Sequence, residues 1–220
     1  MSISQNIAAI RQHIPDGVTM VCVSKFHSTE SIIEAYQCGE RHFGESRVQE
    51  LLPKYESLPK DICWHFIGHL QTNKVKMILP FVDLIHSVDS VRLLETINRE
   101  AEKIQRKVRV LLEIHVAKEE TKSGFTPDEL ISLASNFSPH CLYPWVEICG
   151  VMGMATNTDD VEEWRRCFRE IQSLASSLPL QEELEGASII SMGMSDDYQI
   201  AIEEGSNMVR IGSSIFGERT

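Results

Sequence analysis

Two short apolar runs carry the residue types that hold an anion: Ser191-Met192-Gly193-Met194-Ser195 and Arg210-Ile211-Gly212-Ser213-Ser214. Each ends in glycine and serine. Glycine lets a backbone come close to a ligand, and serine adds a hydroxyl donor. A strand that turns into a helix start also aims N–H groups at whatever sits there, which suits an anion. Two such ends in consecutive units predict a phosphate cradle; the alternative is two ordinary turns. Lys25 closes the run Val21-Cys22-Val23-Ser24-Lys25, in which alternation puts Val21, Val23 and Lys25 on one face. In partly desolvated surroundings its amine would titrate low and attack a carbonyl. Met208, Arg210 and Gly212 share a face by the same rule. If that face is inward, Arg210 is a buried charge with no carboxylate on its own strand, and such a charge needs a partner. The alternatives are a surface lysine and an arginine paired with a remote Glu or Asp.

These residues must be placed by elements that the patterning predicts. Apolar, β-branched runs over Val18–Lys25, Arg41–Ser46, Ile62–Gly68, Val82–Val88, Arg109–Val116, Val146–Met154, Ser188–Met194 and Met208–Phe216 read as eight strands. An amphipathic helix, Ser4–Ile14, leads the chain, and a helix follows each of the first seven strands. The sharpest local signal is Thr126-Pro127-Asp128-Glu129, a capping box with proline at the first helical position. Strict β-α alternation implies parallel strands with helices outside. Eight repeats in 220 residues predict one (β/α)₈ barrel domain over residues 1–220, with an open doubly wound sheet as the alternative. In such barrels chemistry sits at the C-terminal strand ends, and phosphate sites often follow strands seven and eight. Closure sets strand one beside strand eight, so Lys25 falls next to the cradle. An aldehyde cofactor with a phosphate tail and a ring nitrogen, such as pyridoxal 5'-phosphate (PLP), accounts for Lys25, Arg210 and the cradle together.

Composition narrows the partners. A net charge of −11 and a pI of about 5.2 argue against nucleic acid, which needs clustered Lys and Arg. No apolar run approaches the roughly 20 residues of a membrane span. The N-terminal stretch does not read as a signal peptide. Six scattered cysteines read as reduced thiols of a cytoplasmic protein, and no Cys/His spacing suggests zinc. The acidic surface favours a monomer. His65 and His69 flank the end of strand three, where either a mouth position or a structural role is open. Lys74 and Lys122 are candidates for a basic rim. Asp196 and Asp197 suit a helix start through its dipole, and beside a phosphate their side chains should point away. Met152, Met154, Met192 and Met194 read as barrel filling, and Trp64 and Trp164 as core.

The runs VSK at Val23–Lys25, FGES-x-VQE at Phe43–Glu50, WHFIGHLQ-x-NK at Trp64–Lys74, KSG at Lys122–Gly124, SMGMSDD at Ser191–Asp197 and VRIGSSIFG at Val209–Gly217 recur together in one family. The sequence resembles the pyridoxal phosphate homeostasis proteins, the YggS/PROSC-type family, along nearly the whole chain. That family resembles the barrel domain of alanine racemase without its second, β-rich domain. The resemblance implies PLP held as a Schiff base on Lys25, Arg210 against the pyridine nitrogen, and phosphate contacts at Met194, Ser195, Gly212 and Ser213. Ser46 stands where the family usually has an asparagine near the cofactor, and it is kept as a site residue. An arginine at the ring nitrogen makes the ring a poor electron sink, so delivery or buffering of PLP to apo-enzymes is expected rather than turnover. A weak amino-acid racemase and a Schiff-base aldolase acting on a sugar phosphate are the alternatives.

Overall fold

The alternating runs form eight strands: β1 (Thr19–Val23), β2 (His42–Glu45), β3 (Cys63–Phe66), β4 (Leu84–Val88), β5 (Val108–Ile114), β6 (Val146–Gly153), β7 (Ile189–Ser191) and β8 (Met208–Ile211). In this computed structural model, residues 2–117, 123–135, 142–177 and 189–217 are described; Lys122, Cys141 and Ser188 lie outside them. Every strand pair is parallel, the order is sequential, and β8 returns to β1, so the sheet is a closed (β/α)₈ barrel. Helix α1 (Ile3–Arg11) precedes β1. The remaining helices of the described residues are α2 (Thr29–Gln37), α3 (Val48–Ser57), α4 (Val75–Ile78), α5 (Val91–Lys103), α6 (Pro127–Ser135), α7 (Val161–Ser177), α8 (Tyr198–Glu203) and α9 (Ser213–Phe216).

Period-2 alternation sorts the apolar residues into two packing layers. Val21, Leu84, Leu111, Cys149, Met152 and Met208 fill the barrel interior. Their neighbours Met20, Cys22, Phe43, Trp64 and Phe66 point outward and pack against helix residues such as Ile32, Leu51, Ile97, Phe168 and Ile171. A bulge breaks the alternation once on β6, where pairing with β5 shifts between Val110 and Leu111. Gly150 sits there at φ +147, and a Cβ on it would lie 2.0 Å from the Ile189 carbonyl oxygen, so only glycine fits. The extra residue resets the faces. Cys149 and Met152 face inward and Val151 outward, which carries Met154 to the barrel mouth.

Several strands are shorter than expected, β7 ending at Ser191 rather than Met194, and three further departures bear on the site. β1 stops at Val23, leaving Ser24 and Lys25 just beyond it. The helix expected over Gln71–Leu79 is a 3₁₀ turn, Thr72–Lys74, followed by α4. The run Met208–Phe216, expected as one strand, ends as strand at Ile211, and α9 begins one residue after Gly212. Its Ile215 is fully buried, and its carbonyl accepts a hydrogen bond from the Asn6 side chain of α1 at 2.9 Å. Helix α1 is thus tied to α9, the short helix that follows β8. No helix of the described residues is long and apolar enough to cross a membrane.

Candidate cofactor site

A cavity of about 260 Å³ opens at the C-terminal ends of β1, β7 and β8. Lys25, Met194, Ser195, Arg210, Gly212 and Ser213 all line it, with Val23, His27, Ile67, Met154, Asp196 and Gly217. Six of the seven residues singled out from the sequence therefore face one space.

Lys25 is half-buried and is positioned by α3 from both sides. On one side the Ser24 carbonyl accepts from Lys54 Nζ at 2.9 Å, and Ser24 Oγ donates to Glu45 Oε1 at 2.6 Å. Lys54 and Glu45 form a buried ion pair at 2.7 Å. Burial pushes the Glu45 carboxyl above its ordinary range, and Lys54 pulls it part of the way back. On the other side Phe26 takes φ +68, a left-handed conformation that side chains seldom adopt. Its N–H donates to Glu50 Oε2 at 3.0 Å, and the Arg47 guanidinium lies 4.9 Å from its ring centroid.

Arg210 projects from β8 into the interior and is 4 % exposed. It donates to the Ser191 carbonyl at 2.8 Å, to Ser191 Oγ at 2.7 Å and to the Gly153 carbonyl at 3.1 Å. Burial pulls its pKa down to about 10, with Asp197 and Glu113 acting through space in the opposite sense. No carboxylate among the described residues lies within ion-pair distance of it. The sequence alternative of a remote carboxylate partner is not what the structure contains.

The two Gly/Ser loops converge as expected, though several of their N–H groups are already engaged. Gly193 turns the first loop at φ +94, where a Cβ would meet Ala201 at 2.6 Å. Its carbonyl accepts the Arg210 N–H at 3.0 Å. The Met194 N–H donates to Asp197 Oδ1 at 2.5 Å, so Asp197 closes its own loop and is buried, while Asp196 lines the cavity. Asp196 is exposed at the border of the cavity. Ser195 Oγ accepts the N–H groups of Gly212 at 3.2 Å and Ser214 at 3.4 Å, which ties the two loops around one oxygen.

Ser46 lies elsewhere. It borders a second depression of about 250 Å³ with Arg47, Gln49, Phe66, His69, Gln71 and Lys74. Its backbone packs under Gly68, where a Cβ would come within 2.2 Å of the Ser46 carbonyl oxygen. His69 pairs with Asp89 at 3.1 Å. His65 is not at the mouth but inside the barrel, 1 % exposed. Of the four methionines, Met152 is barrel filling, Met154 and Met194 border the cavity, and Met192 faces the outer layer. His27 was not singled out from the sequence. It lines the cavity and stacks on Phe216 with ring centroids 4.9 Å apart; burial, then Lys54, lower its pKa. It follows a left-handed residue past the end of β1, where strand alternation no longer assigns a face.

A lysine, a buried arginine without a paired carboxylate and two anion-suited loops thus meet at one barrel mouth. Comparison with known proteins gives this arrangement a lineage. Residues 1–220 match the family described as "Alanine racemase, N-terminal domain". The chain is 44% identical to the pyridoxal phosphate homeostasis protein of Aquifex aeolicus over 89% of this chain and 85% of that one. It is 38% identical to the protein of that name from Schizosaccharomyces pombe, over 92% and 84%. The chain belongs to the pyridoxal phosphate homeostasis family. Among solved structures, PipY of Synechococcus elongatus with PLP bound is 33% identical, with a TM-score of 0.87 over 98% of this family member and 100% of PipY. Alanine racemase of Clostridium difficile shares 16% identity and a TM-score of 0.78 over 99% of this chain and 56% of the racemase, a likeness of fold alone.

Proposed function

We propose that this protein binds pyridoxal 5'-phosphate at the mouth of its barrel and serves intracellular PLP homeostasis, delivering or buffering the cofactor without turnover. The observation that carries the reading is the meeting of Lys25, Arg210 and the Gly193–Ser195 and Gly212–Ser214 loops around one cavity. The residues present fit the group. Bound PLP supplies an aldehyde that condenses with an amine, losing one water, and a ring whose electron-withdrawing power grows when its nitrogen is protonated. Lys25 is the residue that would hold the aldehyde as a Schiff base. Arg210 suits the ring nitrogen, because it is a fixed donor whose charge has no paired carboxylate among the described residues. With a pKa of about 10 it remains a cation at neutral pH and leaves that nitrogen unprotonated. The phosphate suits the two loops, where backbone N–H groups already converge on the Ser195 oxygen. Met194, Ser195, Gly212 and Ser213 are assigned this contact. Ser46 is proposed to act one layer out, through the turn that follows β2.

PipY of Synechococcus elongatus, solved with PLP bound, and relatives named for PLP homeostasis support this reading. We place the protein in the cytoplasm as a single-domain monomer that passes PLP to apo-enzymes. The five described cysteines, all free, and the net charge of −11 support that placement. A second reading, a weak amino-acid racemase, is favoured by one observation: His27 brings a further titratable group to the cavity. The test is the absorbance spectrum of the purified protein with PLP, before and after borohydride, and of Lys25→Ala. A yellow protein bleached by borohydride, colourless in Lys25→Ala, and able to reactivate an apo-enzyme bears the proposal out. A colourless wild type overturns it. Racemisation of free amino acids that survives at significant rate in the wild type and falls in His27→Gln would favour the second reading.

A further inference from the structure

Three histidines in the barrel interior take no part in the cavity. His42 opens β2, His65 lies on β3 and His86 on β4, and sheet register brings them into line. His42 Nδ1 and His65 Nε2 are 2.9 Å apart, and His65 Nδ1 and His86 Nε2 are 2.8 Å apart. His86 Nδ1 lies 3.1 Å from Ser191 Oγ, the atom that accepts from Arg210. His86, Ser191 and His65 are 0 to 1 % exposed; His42 is half-buried at the far end. We propose that Ser191, His86, His65 and His42 are positioning residues for Arg210, forming a hydrogen-bonded chain through the barrel that carries the protonation of His42 at the N-terminal end to the guanidinium in the cavity. The use made of Arg210 rests on the PLP reading above; the wiring does not.

Donor chemistry gives the chain one direction. A guanidinium has only donors, so Ser191 Oγ accepts from Arg210, and His86 Nδ1 is the acceptor that the described residues offer its own hydroxyl proton. A neutral imidazole has one donor and one acceptor. His86 therefore donates through Nε2 to His65 Nδ1, and His65 donates through Nε2 to His42 Nδ1. Burial holds both inner rings neutral: it takes His65 down to about 3 and His86 well below the usual histidine range. Every link turns its acceptor side toward Arg210, so aligned dipoles, rather than a carboxylate, face the cation.

The chain meets the outside at His42. A proton added there must occupy Nδ1, the atom that now accepts from His65. Either that link breaks or each inner ring exchanges its Nε2 proton for one on Nδ1, so that His86 donates to Ser191 Oγ and the serine, keeping its own hydroxyl proton, turns it away from His86. Around His42 stand the Glu40–Arg11 pair, at 2.9 Å from β2's approach to α1, and the Asp83–Arg109 pair, at 3.2 Å before β4 and on β5. Asp83 and Glu40 favour the proton, Arg11 and Arg109 oppose it, burial opposes it most, and Cys63 is its register partner on β3.

The experiment uses the full chain without PLP, labelled with ¹⁵N at histidine and arginine, titrated from about pH 8 to about pH 5. The expected result is neutral His65 and His86, with the proton on Nε2 at the alkaline end, and Arg210 side-chain resonances that shift with the titration of His42. His42→Asn keeps an acceptor near the Nδ1 position but cannot titrate, so the Arg210 shift should vanish while the inner tautomers persist. His42→Phe removes the acceptor and should alter both; if it fails to fold, His42→Asn still decides. An Nδ1–H tautomer at His65 or His86 while His42 is still neutral, a His42 that does not titrate in this range, or Arg210 resonances blind to its titration overturns the proposal. A protein that takes up no PLP yet shows the linked titration upholds the chain and overturns the reading of the cavity.

Discussion

Lys25 owes its place more to α3 than to its own strand. The alternation Val21, Val23, Lys25 correctly gave it an inward direction, yet β1 ends two residues earlier, and the remaining path is set by Lys54 on Ser24 and Glu50 on Phe26. Arg210 was legible for a simpler reason: it lies within β8, where period two holds. His27 was not, because a left-handed residue precedes it. We expect Lys25→Ala to retain no PLP through gel filtration, measured by visible absorbance, while its urea midpoint stays near that of the wild type. Lys54→Met should lower stability and loosen the hold on Lys25 together. It leaves Glu45 buried without its cation, which on the order of 3–5 kcal/mol of stability has been the usual result of breaking one side of such a pair. Urea denaturation measures it, and a loss below about 1 kcal/mol would contradict the clamp. Arg210→Met removes the donor to the Ser191 hydroxyl and to the Ser191 and Gly153 carbonyls as well as the cation, so it should lose both PLP and stability, the latter by about 1–3 kcal/mol.

At the scale of elements, local chemistry wrote the clearest signals. The capping box of α6 is present as expected: the Thr126 N–H donates to Glu129 Oε2 at 2.9 Å, and the Glu129 N–H donates to Thr126 Oγ1 at 3.3 Å. Thr126→Ala should cost about 1 kcal/mol by thermal or urea unfolding. The β8–α9 boundary was illegible because Ile211, Ile215 and Phe216 continue the apolar pattern of the strand across Gly212. The helix shows in the backbone, where the N–H groups of Phe216 and Gly217 donate back to the Gly212 and Ser213 carbonyls at 2.9 Å each. The β6 bulge was equally hidden, since Gly150 in an apolar run looks like any small residue. Gly193 is where an element error would reach the site. Gly193→Ala places a methyl 2.6 Å from Ala201 Cβ in a left-handed backbone. We expect it to weaken PLP retention as well as stability, the latter by about 1–3 kcal/mol; unchanged PLP affinity would show that the loop does not shape the cradle.

For the whole molecule, closure was readable from the count of eight units, but what closure brings together was not. His42, His65 and His86 occupy three separate runs of sequence, and only the parallel register of β2, β3 and β4 sets them nose to tail. Their burial predicts an acid dependence of stability. In the unfolded chain a histidine titrates near 6.5, whereas folded His65 titrates at about 3, so the unfolded state binds more protons between those values. The contribution is complete above pH 6.5 and is lost progressively as pH falls toward 3. At about 1.4 kcal/mol per unit, His65 alone withdraws on the order of 2–3 kcal/mol by pH 4.5. His86 acts in the same sense. Glu45, Glu113 and Asp197, raised by burial, act in the opposite one: their contribution is held at low pH and lost as pH rises through their folded values. Urea midpoints at pH 7.0, 5.5 and about 4.5 should fall in that order if the histidines dominate; a midpoint that rises on acidification contradicts the neutral chain.

The seam between β1 and β8 has a further consequence during synthesis. Lys25 leaves the ribosome well before Arg210, so a nascent chain that stops short of β8 owns only the lysine. Vitamin capture by this fold must await the final strand, and a chain stalled before it should travel through the cell colourless.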